Sequence, residues 1–249
     1  MTAENSNPKR YRHEMKYIIN SGYYHILRSR LKAAMKPDPH GDDGVYRITS
    51  LYFDDIFRTA YNDKLLGLDV RKKYRIRYYS LSSSVIRLEV KEKKGEMVCK
   101  RSVPLGYEEY QSILKGRAEF FNKDSFIDTA GEEFYISHNL TALSPAVLVD
   151  YIREAYICPA GNVRITFDSS LKTSLHADPL GDSGKDADFI NVFNGGEIIL
   201  EVKYDSFIPS YISDLISGIP LTRESVSKFV LCSDKLTEVS KCSYCQKIS

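Results

Sequence analysis

The chain of 249 residues contains no tryptophan, and its five cysteines are odd in number and scattered. Such a set does not make a disulfide framework. Cys242 and Cys245 form a single CxxC near the C-terminus, but no second pair or nearby histidine completes a zinc site, so two reduced thiols on a frayed tail are expected. No apolar run approaches the roughly 18 residues of a membrane span, and the opening MTAENSNPKRYRHE lacks the apolar core of a secretory signal. A cytoplasmic location is therefore expected. Also missing are a GxxxxGK[ST] loop, a kinase signature and a GxGxxG opening a helix. Any nucleotide is then held chiefly by its phosphates, with little base specificity. Charge of one sign is lacking overall: the net charge is +2 and the pI near 8.1. Basicity that is local speaks for a concentrated anion site over general nucleic-acid coating.

What is there is concentrated in Arg71 to Arg101, which holds 11 Lys and Arg against 3 Glu. Two runs rich in Val, Ile, Leu and Tyr flank Ser82-Ser83-Ser84, predicting an antiparallel hairpin with a four- or five-residue loop. Side chains alternate along a strand, so Arg75 and Arg77 point one way and Ile76 and Tyr78 the other. On the second strand Arg87, Glu89, Lys91 and Lys93 oppose Leu88 and Val90. Like charges on adjacent strands repel by a few tenths to about 1 kcal/mol per close pair, which calls for an anion on that face. The alternative is a solvated outer face.

The pattern recurs along the chain. Residues 1–9 are polar and expected to be disordered. In the strand from Arg10 to Ile19, Arg12, Glu14 and Lys16 share a face opposite His13, Met15 and Tyr17. Asn20 or Ser21 caps a helix to about Met35, with Tyr24, Leu27, Leu31 and Ala34 at helical spacing. Val45 to Asp54 reads as a buried core strand, Ile56 to Leu66 as a short helix or loop, and Gly106 to Lys115 as a helix. Pro145 to Tyr156 and Asn162 to Ser170 form a second hairpin joined by Cys158-Pro159-Ala160-Gly161, with Arg153 on one strand and Arg164, Thr166 and Asp168 on one face of the other. A polar loop spans Ser174 to Asp188. Gly196 to Tyr204 is a strand with Glu201 and Lys203 in register, followed by a helix over Pro209 to Ser217. Lys228 lies in Ser225-Val226-Ser227-Lys228-Phe229. There is no internal repeat.

About eight strands result, most of them antiparallel, and at least five carry charge on one face. Burying that many unpartnered ions would cost several kcal/mol each. Either the faces look into water, or the sheet closes around a wet polar interior with its apolar alternates under helices. Helices with apolar stripes favour closure. The fold class expected is α+β, a closed antiparallel eight-stranded β-barrel with flanking helices, as one domain over residues 10–236 followed by a tail over 237–249.

The ordered set HEMKY, RKKYRIRYY, IRLEVKEKKGEMVCKRSV, VRITFDSSL, ILEVKYD and SVSKF, from about Tyr11 to Phe229, resembles the catalytic domain of the vacuolar transporter chaperone (VTC) polyphosphate polymerases. These belong to the triphosphate tunnel metalloenzymes. The resemblance implies an eight-stranded tunnel whose basic walls hold a triphosphate or polyphosphate, with Mn²⁺ or Mg²⁺ on a glutamate. Carried over by position, Lys16, Arg75, Arg77, Lys91, Lys100, Arg164 and Lys228 match phosphate-binding, catalytic positions and Glu201 the metal-binding glutamate. Glu14, Glu89 and Asp168 are further candidates to support the metal. Each of those acids is equally readable as half of an ion pair. Arg12, Arg87, Lys93, Arg153 and Lys203 are added as substrate-binding candidates. Arg75, Arg77, Lys91, Arg164, Glu201 and Lys228 are expected to converge in one lumen. ATP and polyphosphate or triphosphate are the implied partners, with no specific nucleic acid and any membrane partner on a separate chain.

The reaction implied is phosphoryl transfer, with polyphosphate synthesis from ATP ahead of triphosphate or polyphosphate hydrolysis. Hydrolytic tunnel enzymes carry ExExK on the first strand; here those positions are Arg12, Glu14 and Lys16, so one acid has become a cation. That change favours holding a long phosphate chain over activating a water. Two non-enzymatic readings stand beside it: a silent polyphosphate-binding module, and an RNA-binding barrel using some of the 18 tyrosines for stacking. Tyr17 and Tyr78 alternate away from the charged faces, which argues for core.

Overall fold

The computed structural model describes residues 10–80, 82–123, 126, 127, 129–174, 178, 180 and 189–245. The first nine residues and most of the 174–188 loop, for which disorder and a polar loop were expected, lie outside the described residues. Among the described residues ten strands form, in chain order: β1 (Tyr11–Ile19), β2 (Lys36–Pro37), β3 (Val45–Asp54), β4 (Val70–Tyr79), β5 (Ser82–Lys94), β6 (Met97–Leu105), β7 (Ser144–Cys158), β8 (Val163–Ser174), β9 (Ile190–Asn191) and β10 (Ile198–Tyr204). They join in the order β2-β7-β3-β4-β5-β6-β1-β10-β8-β9, with a further β7–β8 pairing. Eight antiparallel strands thus stand in a ring, and the fold is α+β. The helices are α1 (Ser21–Ala34), α2 (Thr59–Leu65), α3 (Tyr107–Leu114), α4 (Ala130–Thr141), α5 (Ser210–Ile216) and α6 (Lys228–Cys245). No described helix is long and apolar enough to cross a membrane.

Two compact units divide the chain, one built on Ser50–Leu148 and the other on Arg12–Thr49, Val149–Leu175 and Asp188–Ser249. In the first, β4, β5 and β6 make a meander. Tyr79 pairs with Ser82, so the turn is shorter than the four- or five-residue loop expected, and the serines belong to β5. Ser80 adopts the left-handed conformation (φ 51°) that so tight a reversal requires. A second reversal, with Gly95 at φ 56°, starts β6, which sequence reasoning had not separated from the hairpin. The apolar alternates Ile76, Tyr78, Leu88 and Val90 are buried. Phe134 of α4 packs edge-on against Phe53 and Tyr74, and Tyr110 of α3 against Tyr78. These helices cover the apolar face, leaving the alternate residues to the polar one.

The second unit packs α1 and α5 on the apolar face of β10 and β8. Asn20 caps α1 by accepting a hydrogen bond from the Tyr23 N–H (2.9 Å), and Leu27 and Leu31 pack with Ile165, Phe167, Leu200, Val202 and Ile212. Ala34, expected on that stripe, is exposed. Gly161 makes the β7–β8 turn at φ 67°, where a Cβ would lie 2.2 Å from the Phe207 carbonyl oxygen, so no other residue fits. The helix α6 was not anticipated. It starts after Ser227 and runs through residues expected to be tail, to Cys245, although Phe229, Cys232, Leu236 and Val239 already carry its period. The side chains of Cys242 and Cys245 lie outside the described ones.

Candidate functional site

In the first unit the β4–β5 register sets Arg75 opposite Glu89 and Arg77 opposite Arg87, all on the face that alternation assigns to them. Glu89 is fully buried. Arg75 Nε and Lys100 Nζ each lie 2.8 Å from one of its oxygens, and Arg77 Nη1 is 3.8 Å away. Burial pushes the Glu89 carboxyl up, but Arg75, Arg77 and Lys100 outweigh it and hold the group well below the usual carboxylate range. Two groups from β3, missed when that strand was read as core, complete the cluster. Arg75 Nη1 donates to the Tyr52 hydroxyl (2.7 Å) and Arg77 Nε to Ser50 Oγ (3.2 Å). Alternation in SLYFD puts Ser50 and Tyr52 on one face, which is the signal that marks them. Burial opposes ionisation of Tyr52, yet Arg75, Arg77 and Lys91 lower its pKa overall. Further along, Arg87 Nη2 donates to Ser102 Oγ (3.1 Å), Lys91 faces Lys73 and Lys100, and Lys93 faces Arg71. Like charges thus sit side by side across three strands.

The second unit gathers residues scattered from position 14 to 228. Register places Lys16 opposite Glu201 and Glu201 opposite Thr166, while Glu14 faces Lys203 and Lys203 faces Arg164. Buried Glu201 accepts from Lys203 (2.6 Å), Lys228 (2.9 Å) and Arg153 (3.2 Å), and Lys16 lies 3.4 Å away and 3.0 Å from Glu14. Arg153 also grips Asp168 with both prongs, at 2.6 and 2.7 Å, and Lys228 pairs with Asp168 as well. Lys228 Nζ and the Arg153 guanidinium lie 4.9 and 5.4 Å from the Tyr151 ring. Burial raises the Glu201 and Asp168 carboxyls, but the surrounding cations prevail and lower both. Arg164 stands apart from this group, paired with buried Asp38 and donating to the Tyr46 hydroxyl. Arg12 is tied to Asp205 (3.0 Å) and the Asn162 carbonyl (2.6 Å).

Of the expected metal ligands, Glu14, Asp168 and Glu201 lie in the second unit and Glu89 in the first. Among the described residues no group of three or more His, Cys, Asp or Glu is arranged to hold a metal ion. The donors beside Glu201 are hard oxygens, those of the Asp168 carboxylate, which shares Arg153 and Lys228 with it. That chemistry fits Mg²⁺ or Mn²⁺ bound through one or two carboxylates plus substrate phosphates.

Because the carboxyl pKa values are lowered on folding, the stability these groups contribute is present above the unfolded value near 4.3 and is lost as pH falls through the folded one. Glu89→Gln should accordingly be less stable than the parent at pH 7, with the gap closing below about pH 4. Urea unfolding across pH 3 to 7 measures it; a gap independent of pH would show that the charge of Glu89 is not what stabilises.

Comparison with known proteins agrees with this architecture. The structure of HpAC1 from Hippeastrum, described as having a dominant triphosphatase activity, superposes with a TM-score of 0.54 at 11% identity, over 90% of this chain and 95% of that one. A Bacillus halodurans protein (bh2851) assigned as an adenylate cyclase gives 0.50 at 13%, over 86% and 95%. At such identities the likeness is one of fold. No curated protein matches the sequence. A sequence model of the VTC domain, however, matches residues 11–237, and the chain therefore belongs to the VTC domain family.

Proposed function

We propose that this chain catalyses phosphoryl transfer, extending polyphosphate at the expense of ATP, with hydrolysis of triphosphates as the competing outcome. The observation that carries the reading is the excess of cations around buried carboxylates: three on Glu89, and four on Glu201. A phosphate chain presents several anionic oxygens to such clusters, and phosphoryl transfer needs positioning and charge stabilisation more than covalent work by the protein. Arg75, Arg77, Lys91 and Lys100, and in the other unit Lys16, Arg164 and Lys228, bind phosphoryl oxygens. Arg supplies planar forks and Lys point charges. A bound Mg²⁺ or Mn²⁺, held by Glu201 with Asp168 beside it, would neutralise charge developing on the transferred group.

Synthesis is favoured over hydrolysis by the acids. Water must lose a proton to attack, and a carboxylate held well below its usual pKa is a poor base for that purpose. Glu89 and Glu201 are so held, and Asp168 is lowered in the same direction. A phosphate oxygen is already anionic and needs no base. Arg12 takes the place of an acid on β1, although its pairing with Asp205 means it adds little surplus charge.

Incubation with ATP and Mn²⁺ followed by gel separation distinguishes the outcomes. A ladder of phosphate chains is expected. Orthophosphate alone would replace synthesis with hydrolysis, and unchanged ATP would leave a binding module.

A further inference from the structure

On β8 the polar face reads Arg164, Thr166, Asp168: a cation, a neutral hydroxyl and an acid. Asp168 is gripped by Arg153 and Lys228, and Arg164 reaches Asp38 and Tyr46 through Nη2. Thr166 differs. Its side chain is fully buried, directly opposite Glu201, and Oγ1 has no hydrogen-bonding partner. Arg164 Nε, two residues away on the same face, is buried and without a partner too. Buried polar atoms are almost always satisfied, and an orphaned hydroxyl destabilises the fold it sits in. Valine has the shape and strand preference of threonine, so neither packing nor propensity explains the oxygen. The hydroxyl is there for something the chain itself does not supply.

The surroundings say what that is. Residues 164 and 166 are one strand repeat apart, about 6 to 7 Å between their Cα atoms, and Lys16, Arg153, Lys203 and Lys228 crowd the adjoining carboxylates. A donor hydroxyl amid that many cations suits an acceptor-only anionic oxygen. Two donor-bearing residues one repeat apart on the same strand face suit successive groups of a linked chain. We infer that Thr166 is a substrate ligand, its Oγ1–H donating to a phosphoryl oxygen of a bound phosphate chain while Arg164 Nε–H donates to a neighbouring group. This rests on the proposed phosphate-chain reading and adds to it a neutral, distance-sensitive contact.

The test uses the full chain, with Thr166→Val and Thr166→Ser, titrated calorimetrically with tripolyphosphate in EDTA and melted in its absence. Thr166→Val should melt at the same temperature as the parent or higher, because the orphan is gone, yet bind tripolyphosphate about tenfold more weakly, the value of one lost hydrogen bond to a charged group. Thr166→Ser should keep parental affinity. Unchanged affinity in the valine variant overturns the assignment. So does a lower melting temperature, which would mean that the hydroxyl has a partner in the free protein. Loss of Mn²⁺ binding in the valine variant without phosphate would also overturn it, by making Thr166 a cation ligand. If the parent does not bind tripolyphosphate at all, the phosphate-chain reading falls first and this inference with it.

Discussion

Replacing Arg75 by alanine should weaken tripolyphosphate binding by roughly ten- to 150-fold, since each charge-assisted hydrogen bond lost contributes about 1.5 to 3 kcal/mol. Arg75 is buried, and it contacts Glu89 through Nε and Nη2 and Tyr52 through Nη1. Its removal takes away one positive charge and also frees the Tyr52 hydroxyl. Lysine restores the charge without the fork, so Arg75→Lys should recover only part of the affinity. Because Arg77 and Lys100 still compensate Glu89, the fold should survive, and a melting curve beside the titration checks that it does. Calorimetry with tripolyphosphate reads the effect. Parental affinity in Arg75→Ala would remove the Glu89 cluster from the substrate site.

Lys228→Met should produce the largest loss of stability. Its ammonium is buried between Asp168 and Glu201. Removing one partner of a buried ionic group costs about 3 to 5 kcal/mol, because charge is left uncompensated. For a chain of this size that corresponds to a fall of roughly 6 to 20 °C in melting temperature. Lys203→Met should cost less, as that side chain is 21% exposed and water screens what remains. Adding Glu201→Gln to Lys228→Met should restore part of the loss by removing one of the two stranded acids. Equal effects of the two lysine changes, or no recovery in the double variant, would mean that the stability of Lys228 comes from packing on Tyr151 and not from charge.

Much of this was legible in the amino-acid order because a strand has a period of two. Alternation in YRIRY and RLEVKEK decides which side chains share a face, and pairing then fixes Arg75 opposite Glu89. The polar rows of β1, β8 and β10 follow in the same way, and the helix α1 follows from its start signal and apolar spacing. Turn length and α6 were less visible. Serines read as loop residues yet join β5, where Ser82 pairs with Tyr79 and the register shifts between Tyr78 and Tyr79. The helix α6 is rich in Ser, Thr, Val and Cys, which favour helices weakly, and it is the burial of Phe229 and Cys232 that stabilises it.

Only the tertiary structure decided which charges meet. Arg153, Asp168, Glu201 and Lys228 lie on β7, β8, β10 and the start of α6, and nothing local in the sequence links them. A carboxylate taken out of water requires compensation from whichever cations are desolvated with it, so its partners are set by the packing of elements distant in the chain. Glu89 and Glu201 look alike as strand acids; one is held by two arginines and a lysine, the other by three lysines and an arginine. Arg12 looks like a free cation in the sequence and is tied to Asp205 in the fold. Thr166 is the reverse case. The sequence shows a threonine suited to a strand, and only burial without a partner singles out its hydroxyl, because satisfaction of a polar atom is a property of the space around it.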